Sequence, residues 1–192
     1  MASASAGKVR SGPAAYEFVS RIEDPLQHIR TCHEQIERRL VTLQNAAMMV
    51  GFSEGAMLQD AAAALAYEVE VLEAIDKLHT EDEEESLFPR LRANLKDDTS
   101  VLEPLMLSLE LQHQNEQAAF ARLKNTVKAI AASGAQPSDQ ASSCEDLVRE
   151  LASVCGPHMA LENDSLLPLA RKALTPEELT VICGEMRQRW GL

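Results

Sequence analysis

The sequence predicts an all-α protein, an antiparallel up-down-up-down four-helix bundle with a short extra C-terminal helix. Aromatic residues make up only 4% of the chain, and its apolar content comes mainly from Ala, Leu, Val and Met, which favour helix over strand. Apolar residues recur at near-helical spacing through several long stretches. The stretches are joined by short connections, as antiparallel neighbours in a bundle require.

The first helix is predicted to start at Asp24-Pro25, an N-cap residue followed by proline at the first helical position. Leu26, Ile29, Ile36, Leu40 and Leu43 carry its apolar stripe to Gly51. Ser53 is expected to cap a second, long helix that runs through AAAALAYEVEVLEAIDKL and fades near Pro89 or a few residues beyond. Asp97 to Ser100 read as a turn, and Val101 to Ala132 as a third helix with Pro104 in its first turn. The segment SGAQPSDQASS is polar and carries Gly, Pro and several Ser, so it reads as an exposed loop. A fourth helix is expected from Cys144 to Ala173, interrupted and kinked at Gly156-Pro157, because proline removes a backbone donor and crowds the preceding turn. Thr175-Pro176-Glu177-Glu178 combines an N-cap, proline at the first helical position and a capping box, and opens a short fifth helix to Arg189.

A chain of 192 residues suits one well-buried core better than two. Residues 1–20, rich in Ser, Gly and Ala and without an apolar run of signal-peptide length, are expected to form a flexible leader to a single domain over 21–192. Lys and Arg total 18 against 30 Asp and Glu, and a net charge of −12 repels a phosphate backbone, which argues against nucleic acid as a partner. Uncharged stretches fall short of the roughly 20 residues needed to cross a bilayer, so no membrane association and a cytoplasmic location are expected. Cys32, Cys144, Cys155 and Cys183 lack C-x-x-C spacing and read as reduced, buried thiols. Met48, Met49, Met57, Met106, Met159 and Met186 read as core filler.

Four of the five histidines fall one per long helix: His33, His79, His113 and His158. Two are followed four residues later by glutamate, at Glu83 and Glu162, and residues four apart share a helix face. In an antiparallel bundle rising about 1.5 Å per residue, all four imidazoles fall at one level to within about two turns. Bundle cores that hold two metals commonly use Glu and His projecting inward from facing helices, and this pattern predicts such a site. His28 lies five residues before His33, about 140° away around the helix, and is excluded from the site. Cys32 adjoins His33 and points elsewhere. Glu84 and Glu116 are within reach as extra ligands, although a run such as EDEEE is ordinarily a solvated face and either residue could instead support a ligand from behind.

The segments DPLQHIRTCHEQI, LHTEDEEESLFPRL, LELQHQNEQ and HMALENDSLLPLA occur in that order and together closely resemble hemerythrin-like (HHE) cation-binding domains over Asp24 to Ala173. The resemblance implies that Glu83 and Glu162 bridge two irons, that His33 and His79 bind one metal, and that His113 and His158 bind the other. It implies two iron ions (Fe2+/Fe3+) as the cofactor, with zinc or manganese as substitutes that a mixed imidazole and carboxylate shell also accepts. The oxygen-carrying members resemble this pattern but have a second histidine four residues after the first on the third helix, where this chain has Gln117. A site of four histidines and two glutamates keeps positions open on both metals, as in non-carrier members. The resemblance therefore points to a protein that binds or senses oxygen, nitric oxide or peroxide. The alternatives are a di-iron oxidoreductase, either a peroxidase or an iron-centre repair protein, served by a redox partner, and an iron-responsive interaction domain. No residue outside the shell offers itself in the sequence as a proton donor for a peroxidase.

Overall fold

The computed structural model describes residues 21–96, 99–133 and 138–192, and these are helical throughout apart from short connections, with no strand among them. The leader expected over residues 1–20 and the central residues of the expected loop, 134–137, lie outside the described residues. The elements are α1 (Pro25–Phe52), α2 (Gly55–Glu81), α3 (Phe88–Asn94), α4 (Thr99–Ser133), α5 (Ser138–Leu161), α6 (Leu167–Ala173) and α7 (Pro176–Trp190). Two π-helical turns, Asp82–Leu87 and Glu162–Leu166, join α2 to α3 and α5 to α6 without a break in the helix.

Local chemistry sets both outer ends of the fold. Asp24 caps α1 by accepting hydrogen bonds from the Leu26 and Gln27 amides, which have no partner inside the helix. The Thr175 hydroxyl accepts from the Glu178 amide while the Glu178 carboxylate accepts from the Thr175 amide, completing the capping box that opens α7. Gly191, with φ 76°, ends α7 in the left-handed region that glycine adopts without a Cβ penalty.

The four long helices form a ring in which α1 packs on α2 and α5, and α4 packs on the same two. Their inward stripes form the core, and cross-helix ion pairs such as Arg39 to Glu68 at 2.9 Å and Lys124 to Glu73 at 2.7 Å tie the rim. Helix α7 packs against the first π turn and α1. No helix among the described residues is long and apolar enough to cross a membrane.

The structure corrects several sequence expectations. Ser53 closes α1 rather than opening α2: its hydroxyl donates to the Met49 carbonyl at 2.6 Å, and the residue before α2 is Glu54. Helix α5 begins at Ser138, six residues before Cys144, because turns anchored in the core propagate outward more easily than new ones nucleate. Gly156-Pro157 does not interrupt α5, which continues to Leu161; the departure from α geometry comes at Glu162 instead. Met106, Met159 and Met186 are core residues, whereas Met48, Met49 and Met57 are exposed near the α1–α2 connection, outside the inward stripe.

Candidate metal centre

Both π turns begin beside a glutamate that the sequence singled out. In each, the amide five residues on donates to that glutamate's own carbonyl, Phe88 to Glu83 and Leu167 to Glu162. The extra residue resets the phase of the helix, so the carboxylate and the apolar turn after it can both face inward, and such bulges recur at functional sites. Proline follows each turn at the same distance, at Pro89 and Pro168, where a backbone donor is missing. The two copies thus share the pattern H-x-x-x-E-x-x-S-L-x-P, which extends the repeated His and Glu spacing.

The structure brings His33 from α1, His79 from α2, His113 from α4, His158 from α5, and Glu83 and Glu162 from the π turns into one buried chamber, each at most 2% exposed. Two overlapping groups form there: His33, His79, Glu83 and Glu162, and Glu83, His113, His158 and Glu162. Within each group the ligand atoms lie within 4.8 Å of one another. Glu162 divides its carboxylate between them. Oε2 lies 2.9 Å from His33 Nε2 and 3.6 Å from His79 Nε2, while Oε1 lies 3.0 Å from His158 Nε2 and 3.8 Å from His113 Nε2. Glu83 Oε2 reaches across to both halves, 3.3 Å from His113 Nε2 and 3.9 Å from His79 Nε2. Despite these approaches none of these atoms is hydrogen-bonded; nitrogens and oxygens point past one another toward shared centres. Buried polar atoms are otherwise almost always paired, so this set fits metal cations as the missing partners.

Oxygen acceptors behind the imidazoles fix their orientation. His113 Nδ1 lies 2.7 Å from Glu84 Oε1, His158 Nδ1 lies 2.9 Å from Gln112 Oε1, and His33 Nδ1 lies 3.0 Å from Asn163 Oδ1. A proton on each Nδ1 leaves Nε2 directed into the chamber, and the acceptor raises the basicity of the ring. Arg30 donates to both the side chain and the carbonyl of Asn163 and so holds the second π turn against α1. Glu84 is thus a support for His113, and it remains partly open to solvent.

A second polar cluster pins the first π turn. Asp82, fully buried beside Glu83, accepts from Trp190 Nε1 at 2.7 Å and from Arg189, and its Oδ2 lies 3.3 Å from His28 Nε2. His28 packs edge-on against Trp190, and Cys32 Sγ lies 3.6 Å from its Nε2. His28 therefore faces α7 rather than the chamber, as its angular offset from His33 requires. Nothing in the local sequence signals this cluster, because Trp190 and Asp82 are 108 residues apart.

Gln117 does not face the chamber. The inward stripe of α4 runs Leu109, His113, Glu116, Phe120 and Leu123, so the buried residue one turn after His113 is Glu116, and Gln117 is exposed on the wall of a cleft. Glu116, 1% exposed with Oε1 unpaired, lies one turn from His113 and interacts with the Cys155 thiol.

Burial and mutual charge shift the chamber's groups in opposite directions. Burial lowers His79 to about 4, and its contact with Glu162 recovers only part of that loss. Burial also disfavours the charged form of His113, but the carboxylates of Glu162, Glu83 and Glu84 outweigh it and push the ring up to about 11. Glu162 is held well below the usual carboxylate range because its four imidazole neighbours outweigh its burial. Glu83 is pushed well above that range by burial and by the charge of Glu162.

Together the bundle and chamber define a helical protein with a buried cation-binding site. A family model described as the hemerythrin HHE cation-binding domain matches residues 24–170. The match covers most of the chain, and the chain belongs to that family. Comparison with curated proteins finds no match.

Proposed function

We propose that the chamber holds two iron ions and that the pair binds or senses a small ligand such as oxygen, nitric oxide or peroxide. The observation that carries this is the sharing of Glu83 and Glu162 between two otherwise separate groups of donors. Glu162 turns one oxygen to each half and Glu83 reaches both halves with Oε2, placements that suit carboxylates shared by two ions, and the histidine pairs complete the two halves. In this assignment His33 and His79 serve one ion and His113 and His158 the other. Iron is what the resemblance to hemerythrins implies; the matched family is described as cation-binding, and the donor set also suits zinc or manganese. The same proposal takes the four long helices as an antiparallel up-down-up-down bundle, supported by their ring packing and by the two-residue connection between α1 and α2.

Reduced iron supplies electrons and open coordination positions for a small oxidant. The protein contributes orientation and exclusion of water. Asn163, Glu84 and Gln112 hold three imidazoles with Nε2 inward, and Phe88 stacks along His113 with ring centroids 6.3 Å apart. The apolar core around the chamber keeps bulk water from the bound ligand.

Anaerobic purification with metal analysis, followed by optical spectra on adding oxygen, nitric oxide or peroxide, tests this function. A stable adduct supports a binder or sensor, and sustained catalytic loss of peroxide would instead support an oxidoreductase. Failure of iron-grown protein to retain any tightly bound metal would refute both.

A further inference from the structure

A cleft of about 580 Å3 opens between α2 and α4, beside the chamber. One side of α2 supplies most of its lining through Glu73, Asp76, Lys77 and Glu81, continued by Glu84 in the π turn that follows, with Gln117 opposite on α4. Four carboxylates thus stand against Lys77, and Lys124 pairs with Glu73 at one edge. Three of the carboxylates already have partners: Glu73 with Lys124, Glu81 with Lys77 and Arg189, and Glu84 with His113.

Asp76 differs. Its side chain lines the cleft, is only 5% exposed, and makes no hydrogen bond or ion pair among the described residues. A carboxyl so little exposed and without a protein partner favours a proton or a cation. Burial and then the charge of Glu116 make the proton the default occupant, pushing the group up to about 8. Two turns further along the same face stands Glu84, which touches both the cleft and the chamber: its Oε1 is 2.7 Å from His113 Nδ1, and the next residue back is Glu83. Oxygen donors therefore stand both in the cleft and at the chamber wall.

We propose that this cleft is the port through which divalent cations reach the chamber, with the carboxylates of Asp76 and Glu84 holding the ion on its way to Glu83 and His113. The proposal rests on the chamber being a two-metal site. A cleft in which carboxylates outnumber cations concentrates positive ions and raises their association rate, by about 10-fold to 1,000-fold where the charge is strongly one-sided. Asp76 belongs to the route and not to the centre, so its loss slows filling without changing how many ions are finally held.

The test is stopped-flow uptake of Co2+ by the full-length metal-free protein at low ionic strength and at about pH 8.5, where Asp76 is mostly ionised, with bound cobalt counted at equilibrium. Asp76→Asn is expected to slow uptake about 10-fold and still reach two equivalents, whereas Lys77→Gln, which removes the opposing cation, is expected to speed it. The parent's rate should fall with added salt more steeply than that of Asp76→Asn. Uptake at the parental rate in both variants would overturn the port while leaving the two-metal site intact. A parent that binds no cobalt would overturn the two-metal site and the port with it. Lys77→Gln alters an exposed side chain, so it reports on the port even if Asp76→Asn folds poorly.

Discussion

Replacing Asp76 by asparagine should stabilise the metal-free protein, and increasingly so as the pH rises. The carboxyl is buried, has the charge of Glu116 nearby, and is pushed from its ordinary 3.8 to about 8. A folded-state pKa above the unfolded one means that the folded chain holds an extra proton across that interval. Stability from this group is therefore complete below 3.8 and is lost as the pH climbs toward 8. At about 1.4 kcal/mol per pH unit the full interval corresponds to roughly 5–6 kcal/mol. Relaxation and water reaching the group from the cleft reduce this, so a difference of about 2–5 kcal/mol is expected at the upper end. Asparagine keeps the shape and removes the titration. Urea unfolding of the two proteins without metal, at about pH 5 and about pH 8, measures the effect as a gap that widens with pH. A gap that does not change between the two conditions, or a variant less stable than its parent at the higher pH, would refute the reasoning.

Three further outcomes follow from the chamber and its supports. Glu83→Ala or Glu162→Ala should each abolish binding of the metal pair, because each carboxylate faces both halves; two tightly bound equivalents in both variants would contradict the bridging assignment. Metal binding to the metal-free chain should release protons and weaken as the pH falls, because an ion must displace the proton on His113, whose pKa is about 11; titration in a weakly buffered solution counts the protons, and a pH-independent affinity would refute this. Trp190→Phe keeps the ring against His28 but removes the 2.7 Å bond to the buried Asp82, so unfolding should show a loss of about 1–3 kcal/mol, and a loss below about 0.5 kcal/mol would show that Asp82 is held by its other partners alone.

Much of the site is written in local spacing. Four histidines placed one per helix, two of them four residues before a glutamate, come together because the rise and pitch of a helix are fixed whatever surrounds it. The caps at Asp24 and Thr175 were legible for the same reason, since each acts within three residues. The π turns were not. An amide that reaches back five residues instead of four has no residue type of its own, and only the repeated S-L-x-P ending, Ser86 to Pro89 and Ser165 to Pro168, accompanies both turns. Ser53 misled because serine bonds equally well to a helix ahead of it or behind it, and packing of the two helices settles which.

What the sequence by itself determined is the helical class, the helix starts at Asp24 and Thr175, and the inward placement of the histidines and glutamates, all consequences of geometry within a few residues. Only the tertiary structure decided which way each helix turns about its own axis, and with it that Glu116 is buried while Gln117 faces the cleft. It also decided that Asp76 lies buried without a partner and that Trp190 reaches Asp82 from 108 residues away. Helical periodicity leaves the rotation of a helix free to within about one residue, and contacts between distant segments remove that freedom because the core must close without voids.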